Sequence, residues 1–149
     1  MQSRQPPASM AADYILGIDY GEKRVGVALM HEVAQLPRPL TTLIHTPQLL
    51  SDIQLLIEKE HVSSVVVGVP RNMDGSESTQ SQECEAFARR LGDVVNVPVY
   101  TTDETLSSEE AEAALRAIGK AYTKSDIDAM SAALILERYR EEQGGAYDV

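Results

Sequence analysis

Three acidic groups stand where the surrounding pattern makes acid least expected. They are Asp19 at the end of the apolar run "ILGID", Asp103 with Glu104 after "VPVYTT", and Asp128 at the head of "IDAMSAALIL". Carboxylates brought to one place repel one another and raise each other's pKa, so such a set calls for a cation. Hard oxygen ligands with no histidine or cysteine alongside favour Mg²⁺ or Mn²⁺ over zinc. His31, His45 and His61 show no ligand spacing, and Cys84 falls on an apolar helix stripe and reads as core. The chain contains neither GxxxxGK[ST] nor GxGxxG, so the usual nucleotide-phosphate motifs are absent.

Each acid also has a plainer reading. Ser125 with Asp128 fits a helix cap, and carboxylates are favoured in a first helical turn. Against that, Ser131 and Ala132 lie on the same face as Asp128 and are small enough to let this helix end approach a sheet, while Asp126 suits the helix start. Asp103 and Glu104 fit a solvated turn before a Ser107 cap. Asp19 precedes Tyr20 and Gly21 at a strand end, where backbone and carboxylate can approach a phosphate or a metal.

The elements that must position these acids are legible from periodicity. "YILGID" and "RVGVALM" are apolar runs on either side of "YGEK", a hairpin with Gly21 in its turn. Pro37 and Pro39 restrict the next segment to an irregular or edge conformation before a third strand at Leu40–Ile44. Leu49, Ile53, Leu56 and Ile57 recur at helical spacing, with Pro47 as a helix start. "SSVVVGVP" reads as a strand covered on both faces. The loop "RNMDGSES" follows, then a helix on Cys84, Phe87, Ala88 and Leu91, then the strand ending at the acidic pair. A helix with a Ser107–Glu110 capping box and a stripe of Ala111, Ala114, Leu115 and Ile118 stops at Gly119. A last helix starts near Ser125. Three strands, helix, strand, helix, strand and two helices predict a mixed sheet with helices on both faces, and strand ends that share one crevice.

At 149 residues, with 43% hydrophobic and 24% charged residues, the chain fits one domain with its own core. No apolar run reaches the roughly 20 residues of a membrane span, and one cysteine cannot form an internal disulfide, so a cytoplasmic protein is expected. The opening "MQSRQPPASMAA" has no apolar core of a signal peptide. A net charge of -10, from 23 acidic and 13 basic residues, argues against broad attraction to phosphate backbones. Nucleic acid must dock locally, with Lys23 and Arg24, Arg71, Arg89 and Arg90, or Lys120 and Lys124 as candidates.

Four stretches, "GIDYGEKRVGVAL", "VVVGVPRNMDGSES", "VPVYTTDETLSS" and "DAMSAALILERY", resemble in order and spacing the YqgF/RuvX group of RNase H-like proteins, described as Holliday junction resolvases and pre-16S rRNA nucleases. The match covers about Leu16 to Arg140. The resemblance implies an α/β, RNase H-like mixed five-stranded sheet, antiparallel in its opening strands and then parallel, with helices on both faces. The nuclease domain is expected at 13–141, with polar residues and two prolines marking a disordered tail at 1–12 and a polar, flexible tail at 142–149. The resemblance also implies Asp19, Glu104 and Asp128 as the catalytic, metal-binding triad for two Mg²⁺ or Mn²⁺ ions. Lys23 and Arg24 become backbone contacts, and Asn72, Asp74, Gly75 and Ser76 a functional loop before a phosphate-holding helix start.

The implied activity is metal-dependent cleavage of structured RNA, at the 5′ end of precursor 16S rRNA, by a monomer or weak homodimer with no membrane partner. The alternatives are a resolvase of branched DNA, which needs a two-fold dimer for paired cuts, and a catalytically silent RNA-binding module. The Asp-x-Gly hairpin also occurs in the actin and sugar-kinase superfamily, but there two such domains surround a cleft. The chain departs from the family at Thr105, where arginine is frequent, and at Glu83, Cys84 and Glu85, where basic residues are frequent. Both departures remove positive charge near the substrate path.

Overall fold

The computed structural model describes residues 13–72, 74, 76–104 and 108–147. Its elements are β1 (Tyr14–Tyr20), β2 (Arg24–His31), β3 (Pro37–Ile44), α1 (Leu49–Lys59), β4 (Val62–Pro70), α2 (Thr79–Val94), β5 (Val99–Glu104), α3 (Ser108–Ile118) and α4 (Lys124–Tyr147). The strands form one five-stranded sheet in the order β3-β2-β1-β4-β5. β1, β2 and β3 pair antiparallel, while β1 with β4 and β4 with β5 pair parallel. Parallel neighbours need long crossovers, and α1 and α2 supply them.

Alternation along each strand sorts the core into two layers. Leu16, Ile18, Val25, Val27, Val65 and Val67 pack with Ile53 of α1 and with Phe87 and Leu91 of α2. Ile15, Ala28, Met30 and Val66 pack on the other face with Ala111 of α3 and Ala132, Ile135 and Leu136 of α4. The uninterrupted valines of β4 follow from this, since both of its faces are covered. No helix among the described residues is long and apolar enough to cross a membrane.

Several boundaries differ from expectation, each for a local reason. β3 begins at Pro37 rather than Leu40, because it is an edge strand and the register shift at Val27/Ala28 accommodates the prolines. α1 begins at Leu49 rather than Pro47. The Thr46 side chain first accepts from the Gln48 N–H, and its carbonyl accepts from the Leu49 N–H. In α3 Ala111 is buried but Ile118 is 58% exposed, so the stripe is covered only in its first half. Gly119 ends that helix with φ 86°. α4 continues through Tyr147, past the expected boundary at 141. Glu142 is held there by a 2.8 Å hydrogen bond from the Thr102 hydroxyl, a contact across the fold that local sequence does not encode. The expected N-terminal tail, Gly75, Thr105 and Ser107 lie outside the described residues.

Candidate active site

β1, β4 and β5 run parallel, so their carboxyl ends meet at one edge of the sheet, and α4 begins over the same edge. Asp19 closes the face of β1 that carries Ile15 and Gly17, the face turned toward α4. The next residue, Tyr20, turns to the opposite face and stacks on Phe87 at 4.1 Å. Glu104 ends β5 opposite Pro70 and is 5% exposed. Asp128 comes from the start of α4. All three line one cavity of about 220 Å³, with Gly68, Cys84 and Ser131 in its wall.

The close approach of α4 is set by glycines in the sheet. Gly26 is the cross-strand partner of Asp19, and a Cβ on it would overlap the backbone carbonyl of Asp128. Gly17 lies under Leu136 and Gly68 under Ile135, each too close to admit another carbon without displacement. The small residues noted on the helix, Ser131 and Ala132, are therefore only half of the fit. The sheet supplies the other half, and it brings Asp128 beside Asp19.

Hydrogen bonding separates Asp128 from its neighbour. Asp126 accepts from the Thr123 N–H at 2.8 Å and from its hydroxyl, while Thr123 Oγ1 accepts from the Asp126 N–H. This reciprocal cap uses Thr123 and Asp126, not Ser125 and Asp128, so the Asp128 carboxylate is left to the cavity. Thr42 Oγ1 donates to the Ser125 carbonyl at 2.6 Å and ties the helix start to β3.

Charge in the cavity is unusual. Burial, and next the negative charge of Asp128, push Asp19 up to about 6. Arg24 Nε donates to Asp128 Oδ2 at 2.5 Å, and Arg138 lies 3.7 Å from Glu104. As arranged here, among the described residues no three Asp, Glu, His or Cys side chains enclose a single point tightly enough to hold an ion. The donor set nevertheless fits a hard divalent cation. Three carboxylates share the cavity, and one of them is destabilised as an anion by its surroundings. The Cys84 thiol is pushed up to about 11 by burial and then by Asp19, so it stays protonated and unreactive.

A pH dependence follows. In the unfolded chain Asp19 titrates near 4, and in the metal-free folded protein near 6, so between those values the folded state holds more protons. The contribution of Asp19 to stability must therefore fall by on the order of 2 to 3 kcal/mol as pH rises from about 4 to about 6 and then level. Urea unfolding in EDTA across that range checks this. An Asp19→Asn variant should lose that component of the slope.

The remaining candidates are not drawn into the cavity. Lys23 is exposed on the β1–β2 turn. Asp74 accepts from both the N–H and the hydroxyl of Ser76, which hold its carboxyl below the usual range, and Asn72 donates to Ser76 Oγ. Asn72, Asp74 and Ser76 thus bond chiefly to one another, and Gly75 is outside the described residues. Asp103, on the other face of β5 from Glu104, pairs with Arg71 at 3.1 Å, and Arg71 also meets Glu85 and Glu77.

Sequence reasoning missed Arg138, the sheet glycines and His45. The His45 Nδ1–H donates to the Gly21 carbonyl at 2.8 Å, and its backbone N–H to Lys23, so His45 braces the turn that delivers Arg24. Its only signal was its place just after β3, which pairs with β2.

A family model described as "RuvX: Holliday junction resolvase" matches residues 13–142. The chain belongs to the RuvX family. Two curated relatives carry the name "Putative pre-16S rRNA nuclease". One, from Pseudomonas fluorescens Pf-5, is 40% identical over 141 residues, covering 91% of this chain and 97% of its own. The other, from Shewanella denitrificans OS217, is 40% identical over 133 residues, covering 87% and 94%. Among solved structures, Thermus thermophilus RuvC with a Holliday junction substrate superimposes with a TM-score of 0.55 at 17% identity, over 88% of this chain and 96% of that one. Fowlpox virus resolvase with junction DNA gives 0.57 at 10% identity, over 87% and 98%. These likenesses establish that this RuvX chain has the RNase H-like fold of RuvC.

Proposed function

We propose that this RuvX protein is a metal-dependent endonuclease of structured RNA that trims the 5′ end of precursor 16S rRNA in the cytoplasm. Asp19, Glu104 and Asp128 would hold Mg²⁺ or Mn²⁺. The observation that carries the reading is the convergence of these three carboxylates, from distant parts of the chain, in one cavity at the carboxyl edge of the sheet. The relatives' names supply the substrate.

In this reading the three side chains act as ligands, not as general acids. Bound divalent ions would activate a water and offset charge on the leaving 3′ oxygen. The glycine-seated start of α4 fixes the spacing between Asp128 and Asp19, and burial keeps Asp19 poised for a cation. Lys23, exposed beside the site, and the N–H groups at the start of α2 would meet the phosphate backbone. Among the described residues, three arginines at or near the site, Arg24, Arg71 and Arg138, are paired with carboxylates.

A second reading, resolution of four-way DNA junctions, is favoured by the description of the family model. It requires two sites related by a two-fold axis, whereas the RNA reading is satisfied by a monomer or weak dimer. Incubating the purified protein with Mg²⁺ and either a precursor-rRNA fragment or a synthetic junction separates the two. We expect cuts in the RNA, none in EDTA, and a monomer in sedimentation. Paired cuts in the junction by a dimer would replace this reading.

Metal binding has its own check. Millimolar Mn²⁺ should raise Tm by several degrees, because ligand bound only to the folded state stabilises it by about 2.7 kcal/mol at a hundredfold excess over Kd. An unchanged Tm would point instead to a silent RNA-binding module.

A further inference from the structure

We infer that Arg24 is a placeholder cation: its guanidinium neutralises Asp128 until a divalent ion takes that carboxylate, and its release then adds a positive group for the phosphate backbone at the mouth of the site. This rests on the metal-site reading above.

The geometry has three parts. Arg24 reaches Asp128 across 104 residues of sequence with a direct Nε–Oδ2 hydrogen bond. Its side chain is 36% exposed while that of Asp128 is 22% exposed, so the pair sits at the rim with room for the guanidinium to leave. The turn beneath is held from outside the pair by His45, through Gly21 and Lys23, so the backbone stays in place when the side chain moves.

The charge argument is independent. Asp19 and Asp128 line one cavity, with Asp128 seated on the cross-strand partner of Asp19, and without Arg24 the repulsion between the two carboxylates would be unrelieved. Arg24 and a small divalent ion would draw on the same Asp128 charge and repel each other across one carboxylate, so binding of one opposes binding of the other. By linkage the opposition is reciprocal. The result is nucleic-acid affinity that rises when the site is loaded, in a protein whose net charge of -10 otherwise discourages phosphate.

The test is Mn²⁺ calorimetry on the full chain as wild type, Arg24→Gln, Asp128→Asn, and Arg116→Gln, which removes an equal charge at an exposed pair with Glu112 on α3. Arg24→Gln should bind Mn²⁺ about fivefold more tightly, as expected for losing a competing partly exposed ion pair worth about 1 kcal/mol. Arg116→Gln should match wild type, and Asp128→Asn should bind more weakly.

A parallel anisotropy titration uses a fluorescein-labelled phosphorothioate RNA hairpin. Mn²⁺ should tighten binding to wild type, and this gain should shrink in Arg24→Gln, with a flatter dependence on salt by about one unit of slope. Equal or weaker Mn²⁺ affinity in Arg24→Gln, with Asp128→Asn still impaired, overturns the placeholder role and leaves the metal site standing. Wild type that binds no Mn²⁺ overturns both. Arg24→Lys, which keeps the charge but not the planar fork, guards against misfolding and should fall between wild type and Arg24→Gln.

Discussion

Asp19→Asn is expected to reduce cleavage of a precursor-rRNA fragment by at least about a thousandfold, some 4 kcal/mol of transition-state stabilisation, while making the metal-free protein more stable. The two effects have opposite signs for one reason. The Asp19 carboxylate is buried beside Asp128, and both circumstances favour its neutral form, so at pH 7 the ion is held there at a cost. Asparagine has nearly the same shape and no charge, which relieves that cost and raises Tm in EDTA. It also removes a negative oxygen from the site where a cation is to bind. Single-turnover cleavage with Mg²⁺ and thermal unfolding in EDTA measure the two sides. Cleavage equal to wild type would sink the proposed site, and a fall in metal-free Tm would contradict the electrostatic account.

Gly26→Ala is expected to destabilise the fold by about 2 to 4 kcal/mol, lowering Tm by roughly 10 °C, and to impair activity further than this loss explains. The new methyl group would meet the backbone of Asp128 and Ala129, which cannot rotate aside as a side chain can. The start of α4 must lift, and Asp128 moves away from the strand that holds Asp19. Gly92→Ala is the contrast. It lies in α2 with only Val99 nearby, at 3.9 Å, so alanine should fit and stabilise by about 0.5 to 1 kcal/mol through its better helix propensity. Urea unfolding of both variants, with activity measured where each remains folded, checks the pair. Equal stability for Gly26→Ala and wild type would mean that α4 does not rest on the sheet as described.

Much of this architecture was readable from one dimension because strands and helices declare themselves by local periods. The valines of β4 announced a strand covered on both faces, and the interrupted apolar runs around Gly21 announced the β1–β2 hairpin. Asp19 was readable for the same reason: a charge closing an apolar alternation is a local anomaly. The pattern left a choice open where it admits two partners. Ser125 with Asp128 fitted a cap in sequence although Asp126 suited the helix start; the observed bonds put Thr123 with Asp126 in the cap and leave Asp128 to the cavity. Ile118 continues a helical stripe in sequence, yet it ends past the reach of its neighbours in space.

Local sequence was enough for the order of the elements, for the two-faced burial of the sheet and for Asp19 as an acid at a strand end, because each depends on residues within a few positions of one another; the grouping of Asp19 with Glu104 and Asp128 came from the resemblance to the family and not from local pattern. Tertiary structure alone decided that Gly26 seats Asp128 beside Asp19, that Arg24 neutralises Asp128, and that Arg71 is consumed by Asp103, Glu85 and Glu77. Those choices depend on which surfaces touch, and charge and close contact act through space whatever the length of chain between the partners.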